Sequence, residues 1–257
     1  MTDDVATIEL QATVTGEGPV TVLLHGITES ARSFEPLIEP LALDRTVVAV
    51  DLRGHGGSAP GEVYDPASMA ADVHATLRRL ELDAEPPFVI GHSMGGLVAV
   101  AYGGSFPARA IVDVDQSLDL AAFQAQLLQL EPLLRGDGFA EAIGMVFGTM
   151  YGPLDTGEVE RLTALRDPRQ QVVLGVWQPL FEHSTAELDA MVAELVDGVE
   201  APLLSLHGMD PGDDYADWLT ERIPTAVVEI WPDHGHYPHL VDPERFLARV
   251  RAFDPVG

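Results

Sequence analysis

In Gly91-His92-Ser93-Met94-Gly95-Gly96, a serine has glycines two residues to either side, directly after an apolar β-branched run and directly before a helical one. A strand that turns into a helix this sharply holds its serine in a strained conformation, and larger side chains at the flanking positions would collide across the turn. The hydroxyl is pushed out above the sheet, at the positive end of the following helix. Serine is a poor nucleophile at neutral pH, so it needs a base to take its proton as attack begins. Of the nine histidines, His236 in Asp233-His234-Gly235-His236-Tyr237 is the best placed, in the loop between the last expected strand and the last helix. That loop lies at the carboxyl end of the sheet, where ligand sites of open α/β folds gather. His234 and His239 are its rivals. All three are also a conceivable metal set, but no matched cluster of further ligands accompanies them, and no metal is expected.

An imidazole that acts as base needs a carboxylate to fix its tautomer and stabilise the imidazolium. Asp210, after Leu206-His207-Gly208, is the expected acid; Asp115 and Asp119, after an earlier strand, are the alternatives, and a turn before Pro211-Gly212 is the competing role for Asp210. The oxyanion formed on the attacked carbonyl needs donors, and losing one typically raises the barrier by about 3 kcal/mol. The backbone amides of Met94, next to the nucleophile, and of Ile27, in His25-Gly26-Ile27-Thr28, are the expected pair. His25 reads as structural. The expected chemistry is acyl transfer through a covalent serine intermediate, with no cofactor expected.

The composition agrees with an oxygen nucleophile. There are no cysteines, which excludes disulfides, thiolate metal sites and a cysteine nucleophile. All 14 basic residues are arginine, so lysine Schiff-base chemistry is excluded too. Against 41 acidic residues they leave a formal charge of -27, which repels phosphate backbones and anionic membranes; neither nucleic acid nor membrane is an expected partner, and a small ester-like molecule is. The acidic Met1-Thr2-Asp3-Asp4 start lacks the charged and apolar regions of a secretory signal, giving a cytoplasmic expectation.

Those residues must be positioned by an α/β scaffold. Residues 5–15 alternate apolar and polar, which predicts short antiparallel strands. The runs 20–24, 46–50, 88–90, 111–114, 202–206 and 226–231 are β-branched and apolar, as strands buried on both faces are. Helical spacing fills 31–42, 66–80, 94–105, 214–222 and 242–253, and Asp65-Pro66 and Asp242-Pro243 each supply an N-cap acceptor with proline at the first helical position. Strand and helix therefore alternate, predicting a mostly parallel sheet of about eight strands covered on both faces. The alternation stops between 117 and 199, where the sequence is helical and strand-poor. The expectation is a core of 1–116 and 200–257 with a helical cap inserted at 117–199, and with Trp177, His183, Tyr237 and Phe147 lining the substrate pocket.

Four motifs in this order, His25-Gly26 after a strand, Asp51-Leu52-Arg53-Gly54-His55-Gly56-Gly57-Ser58, Gly91-His92-Ser93-Met94-Gly95-Gly96 and a late Gly235-His236, resemble the α/β-hydrolase superfamily, in its esterase-like serine form with a helical cap. The likeness spans almost the whole chain outside the cap, and the order serine, aspartate, histidine is also that family's. It implies Ser93 as nucleophile, Asp210 as acid, His236 as base, and Ile27 and Met94 as oxyanion donors. The family usually spaces its acid as Gly-x-x-Asp, and Gly208-Met209-Asp210 is one residue shorter. The Asp51 to Ser58 run is expected to brace neighbouring elements. A serine in place of the aspartate nucleophile of haloalkane dehalogenases and epoxide hydrolases favours an ester or lactone. A carbon–carbon bond hydrolase, a cofactor-free haloperoxidase or perhydrolase, and a non-catalytic receptor on the same scaffold are the other readings.

Overall fold

The computed structural model describes residues 7–256. In chain order the elements are β1 (Ala12–Thr15), β2 (Val20–Leu24), a 3₁₀ turn (Ala31–Phe34), α1 (Glu35–Leu41), β3 (Thr46–Val50), α2 (Pro66–Arg79), β4 (Phe88–His92), α3 (Met94–Ser105) and β5 (Ala110–Val114). There follow α4 (Ala121–Arg135), α5 (Phe139–Phe147), α6 (Thr156–Leu165), α7 (Gln170–Glu182), α8 (Thr185–Asp197), β6 (Leu203–His207), α9 (Tyr215–Arg222), β7 (Val227–Ile230), α10 (Pro238–Val241) and α11 (Pro243–Phe253). The seven strands form one sheet in the order β1-β3-β2-β4-β5-β6-β7. Only β1 runs antiparallel, pairing Ala12 with Val50; the other pairings are parallel.

Among the described residues the sheet has seven strands rather than about eight. The opening segment contributes one strand where alternation predicted more: residues 7–11 form none, and 5 and 6 lie outside the described residues. The six parallel strands fall where apolar β-branched runs predicted them. The helix caps hold as well: Asp65 accepts from the Ser68 amide and Asp242 from the Arg245 amide.

Residues alternate between two cores along each strand, as the period of two requires. Val22, Leu24, Val89 and Ile111 face α2, α3 and α8, whereas Leu23, Phe88, Ile90 and Val112 face α1 and α11. Between β5 and β6 lie five helices and no strand. The last of them, α8, returns to the sheet's helical layer: a Cβ on Gly104 of α3 would lie 2.8 Å from the Leu195 carbonyl, and one on Gly198 would lie 3.0 Å from the Gly104 carbonyl. Glycine at both positions lets the backbones approach.

Candidate active site

The β4–α3 turn is as tight as its glycines imply. Ser93 has φ 52° and ψ −127°, outside the regions an L residue ordinarily adopts. Its amide is held by the Val114 carbonyl at 2.9 Å, and its own carbonyl accepts from Gly96. A Cβ on Gly91 would lie 1.9 Å from the Gly95 carbonyl oxygen, and a Cβ on Gly95 would lie 2.2 Å from that of Leu24. No side chain fits either place. Strain of this kind persists only where the surroundings over-determine it.

His236 comes to the same cavity from the loop after β7. This cavity, about 160 Å³, is lined by Ser93, His236, Ile27 and Met94, and by Phe147 and Trp177 from the helical segment. The His236 ring is buried, and its Nδ1 donates to Asp115 Oδ2 at 2.7 Å. That bond keeps the proton on Nδ1 and leaves the Nε2 lone pair for a hydroxyl. The loop beneath is braced twice, by the His236 amide donating to the Met150 carbonyl and by His92 Nε2 donating to the His236 carbonyl.

The carboxylate partner of His236 is thus Asp115, at the end of β5, and not Asp210. Asp210 is exposed, and its Oδ1 accepts from the Gly212 amide, making the local turn that its neighbours Pro211-Gly212 also favour. The short Gly208-Met209-Asp210 segment serves in another way: the amides of Gly208 and Met209 donate to Asp115 Oδ1 at 2.7 and 3.0 Å. Burial pushes the Asp115 carboxyl upward in pKa, but the His236 bond and charge and these two amides hold it below the usual carboxylate value. Asp119 lines the cavity, yet its carboxylate caps Ala121.

Ile27 and Met94 both line the cavity with Ser93. The Gly26 backbone approaches so closely that a Cβ there would lie 3.3 Å from Ser93 Cβ. His25 is structural, as expected, its Nδ1 donating to the Gly26 carbonyl and its Nε2 accepting from the Leu52 amide. Asp51 is a brace too, accepting from the amides of Ala31 and Gly57.

Two expected pocket residues lie elsewhere. His183 ends α7, and its carbonyl accepts from Gln124; the inward face of that helix is Val173, Trp177 and Leu180. Tyr237 is buried beneath the site, where its hydroxyl donates to Glu29 Oε1 at 2.8 Å and accepts from Arg166. The rival histidines also point away: His234 donates to the Pro232 carbonyl, and His239 packs among Phe34, Phe246 and His92. Among the described residues no three His, Asp or Glu side chains are grouped to hold a metal ion.

Three residues that the sequence reading missed shape the surroundings. Arg166, between α6 and α7, donates to Thr28 Oγ1 at 2.7 Å and to the hydroxyls of Tyr237 and Tyr151, faces Glu29 at 3.6 Å, and lies over the Phe147 ring. It thereby links the helical segment to the loops carrying Ile27 and His236. Glu29 and His92 complete that buried group, 3.7 Å apart. The only prior signal was His92's place inside the serine motif, and no spacing pattern marks Arg166 or Glu29.

The model of the alpha/beta hydrolase family matches residues 21–249. Over 261 residues the chain is 27% identical to the 2-(acetamidomethylene)succinate hydrolase of Mesorhizobium japonicum, covering 97% of this chain and 93% of that protein. It is 28% identical over 255 residues to the pimeloyl-[acyl-carrier protein] methyl ester esterase of Vibrio parahaemolyticus, covering 93% and 95%. Among solved structures, the esterase RhEst1 from a Rhodococcus species superposes with a TM-score of 0.71 at 26% identity, covering 98% of each chain.

Proposed function

Because the chain belongs to the alpha/beta hydrolase family and keeps a serine on the strained turn, we propose that it is a serine hydrolase of carboxylic esters or lactones, acting on small to medium apolar substrates in the cytoplasm. The observation that carries this reading is the sharing of one cavity by Ser93 and by His236 with Asp115 bonded to its Nδ1. Ser93 Oγ attacks the carbonyl carbon while His236 Nε2 takes its proton, and the electron pair of the C=O bond moves onto oxygen facing the amides of Ile27 and Met94. When that pair returns, the bond to the leaving oxygen breaks and the alcohol departs with the proton held by His236. Water then attacks the acyl-serine with His236 again as base, releasing the acid and restoring the hydroxyl.

Asp115 keeps its negative charge throughout and stabilises the imidazolium. Nothing in the scheme calls for a cofactor. The names of the relatives support hydrolysis in general and an ester in two cases. The test is labelling with a fluorophosphonate probe, then a p-nitrophenyl ester series, on the wild type and Ser93→Ala. Labelling and turnover by the wild type alone are expected. Equal labelling of the variant removes Ser93 from the chemistry, cleavage of a diketone but of no ester moves the reading to carbon–carbon bond hydrolysis, and peracid formation from acetate and hydrogen peroxide moves it to a perhydrolase.

A further inference from the structure

A second cavity, of about 120 Å³, opens beside the first and shares with it the walls made by Met94, Gln116, Leu120, Phe123 and Trp177. It continues between Leu97 and Val98 of α3, Leu180 of α7, and Leu188, Met191 and Val192 of α8. Ser93, His236 and Asp115 border the first cavity only. The departing alcohol must collect its proton from His236, so it leaves on that side of the scissile bond. A group that stays on the serine and extends away from His236 has the side cavity within reach past Met94, which lines both.

No arginine or histidine lines this side cavity, and each of its few polar side chains, Tyr64, Asp65 and Gln116, already has a neighbour within hydrogen-bond distance. The Asp65 carboxylate is taken up by the amide and hydroxyl of Ser68, the Tyr64 hydroxyl accepts from the Gly61 amide, and the Gln116 amide donates to the Ser117 carbonyl. An apolar chain gains by entering; a carboxylate there would lose its water, find no cation and meet the like charge of Asp65 in the wall. An apolar cavity of roughly 150 Å³ holds benzene, so this one takes about four or five carbons.

We propose that the side cavity is the acyl pocket, and that it selects plain alkanoyl groups of about five or six carbons in all while rejecting those that end in a carboxylate. This rests on the serine-hydrolase reading, and the two fail separately. Val176→Phe on α7 and Met191→Trp on α8 narrow the pocket from positions that are not fully buried, so both variants should fold. Fluorophosphonate labelling of each variant reports an intact nucleophile independently of selectivity.

In the wild type, kcat/KM for p-nitrophenyl hexanoate should exceed that for the p-nitrophenyl monoester of adipic acid, of equal carbon count, about 100-fold or more. In each narrowed variant the hexanoate-to-acetate ratio should fall about 30-fold, within the range that a few methylenes supply, while the hexyl acetate-to-ethyl acetate ratio should move less than about threefold. Equal rates on hexanoate and the adipate monoester overturn the proposal. So does a labelled variant whose acyl selectivity is unchanged, or one that loses hexyl acetate instead. Absence of labelling in the wild type removes the underlying hydrolase reading itself.

Discussion

Asp113 lies in β5 and Asp115 just past its end, and their carboxyls are shifted in opposite directions. Asp115 has φ 54°, a left-handed conformation that turns its carboxylate out of the sheet to meet His236 and the two loop amides. Asp113 stays inside, where burial first and then the Asp115 charge push its carboxyl well above the ordinary range. For Asp115→Asn the expectation is a fall in kcat on the order of 10⁴, since the amide favours the wrong imidazole tautomer. Asp210→Asn should stay within about twofold, as an exposed turn residue would. Steady-state kinetics on the two variants decide between them. The His236 pKa is drawn below 6.5, because burial outweighs the upward influence of Asp115. His236 must be neutral to act as the proposed base, so kcat/KM should hold above pH 6.5 and drop as pH falls through the lowered value. Asp115→Asn removes the upward influence and should move this acid limb lower; a limb above pH 6.5 in the wild type contradicts the burial argument.

Between elements, the junction of α6 and α7 matters most. Arg166 is 8% exposed and meets Glu29, 3% exposed, so this pair is screened little by solvent. Asp167 adds a backbone bond from its amide to the Thr28 carbonyl. For Arg166→Met the expected loss in urea unfolding is about 3 kcal/mol, because Glu29 keeps its burial and loses a cation. Arg166→Lys should recover only part, since an ammonium cannot reach Thr28, Tyr151 and Tyr237 together. A loss below about 1 kcal/mol would show a solvated rather than structural guanidinium. At this scale the five inner strands were legible because burial on both faces demands apolar β-branched runs, whereas the edge strand β7, with Val227 and Ile230 exposed, follows such a run without being buried; α2 and α11 were legible because Asp-Pro marks their starts. The helical segment was legible only as a strand-free stretch. That α8 belongs to the sheet's own layer depends on Gly104 and Gly198, whose meaning appears only when the helices are side by side.

The whole molecule carries a formal charge of -27, and its compact state works against its own repulsion. Raising NaCl from 20 to 500 mM should therefore raise Tm by about 3 °C or more, on the order of 1 kcal/mol at this size. A flat or falling Tm would mean that the 14 arginines already balance the acidic groups locally. Acid acts through buried histidines. His55 and His207 are pushed by burial to about 3 and about 4, so below pH 6.5 the unfolded chain takes up protons that the native state refuses. Their contribution is present above pH 6.5 and is lost as pH falls toward those values. Among the described residues no helix is long and apolar enough to cross a membrane.

Local covalent and steric demands were readable one residue at a time. A strand that must become a helix within a residue needs glycine at 91 and 95, so the place of Ser93 on that turn was legible in residue order, as was the α/β architecture in the alternation of apolar runs and helical spacing. The partner of His236 was a different kind of question. Asp115 and Asp210 both follow parallel strands, and choosing between them takes the register of β5 against β6 and the reach of a loop one residue short. The same holds for the side cavity and for Arg166. Their walls and partners come from segments far apart along the chain, and only packing brings those segments within a few ångströms.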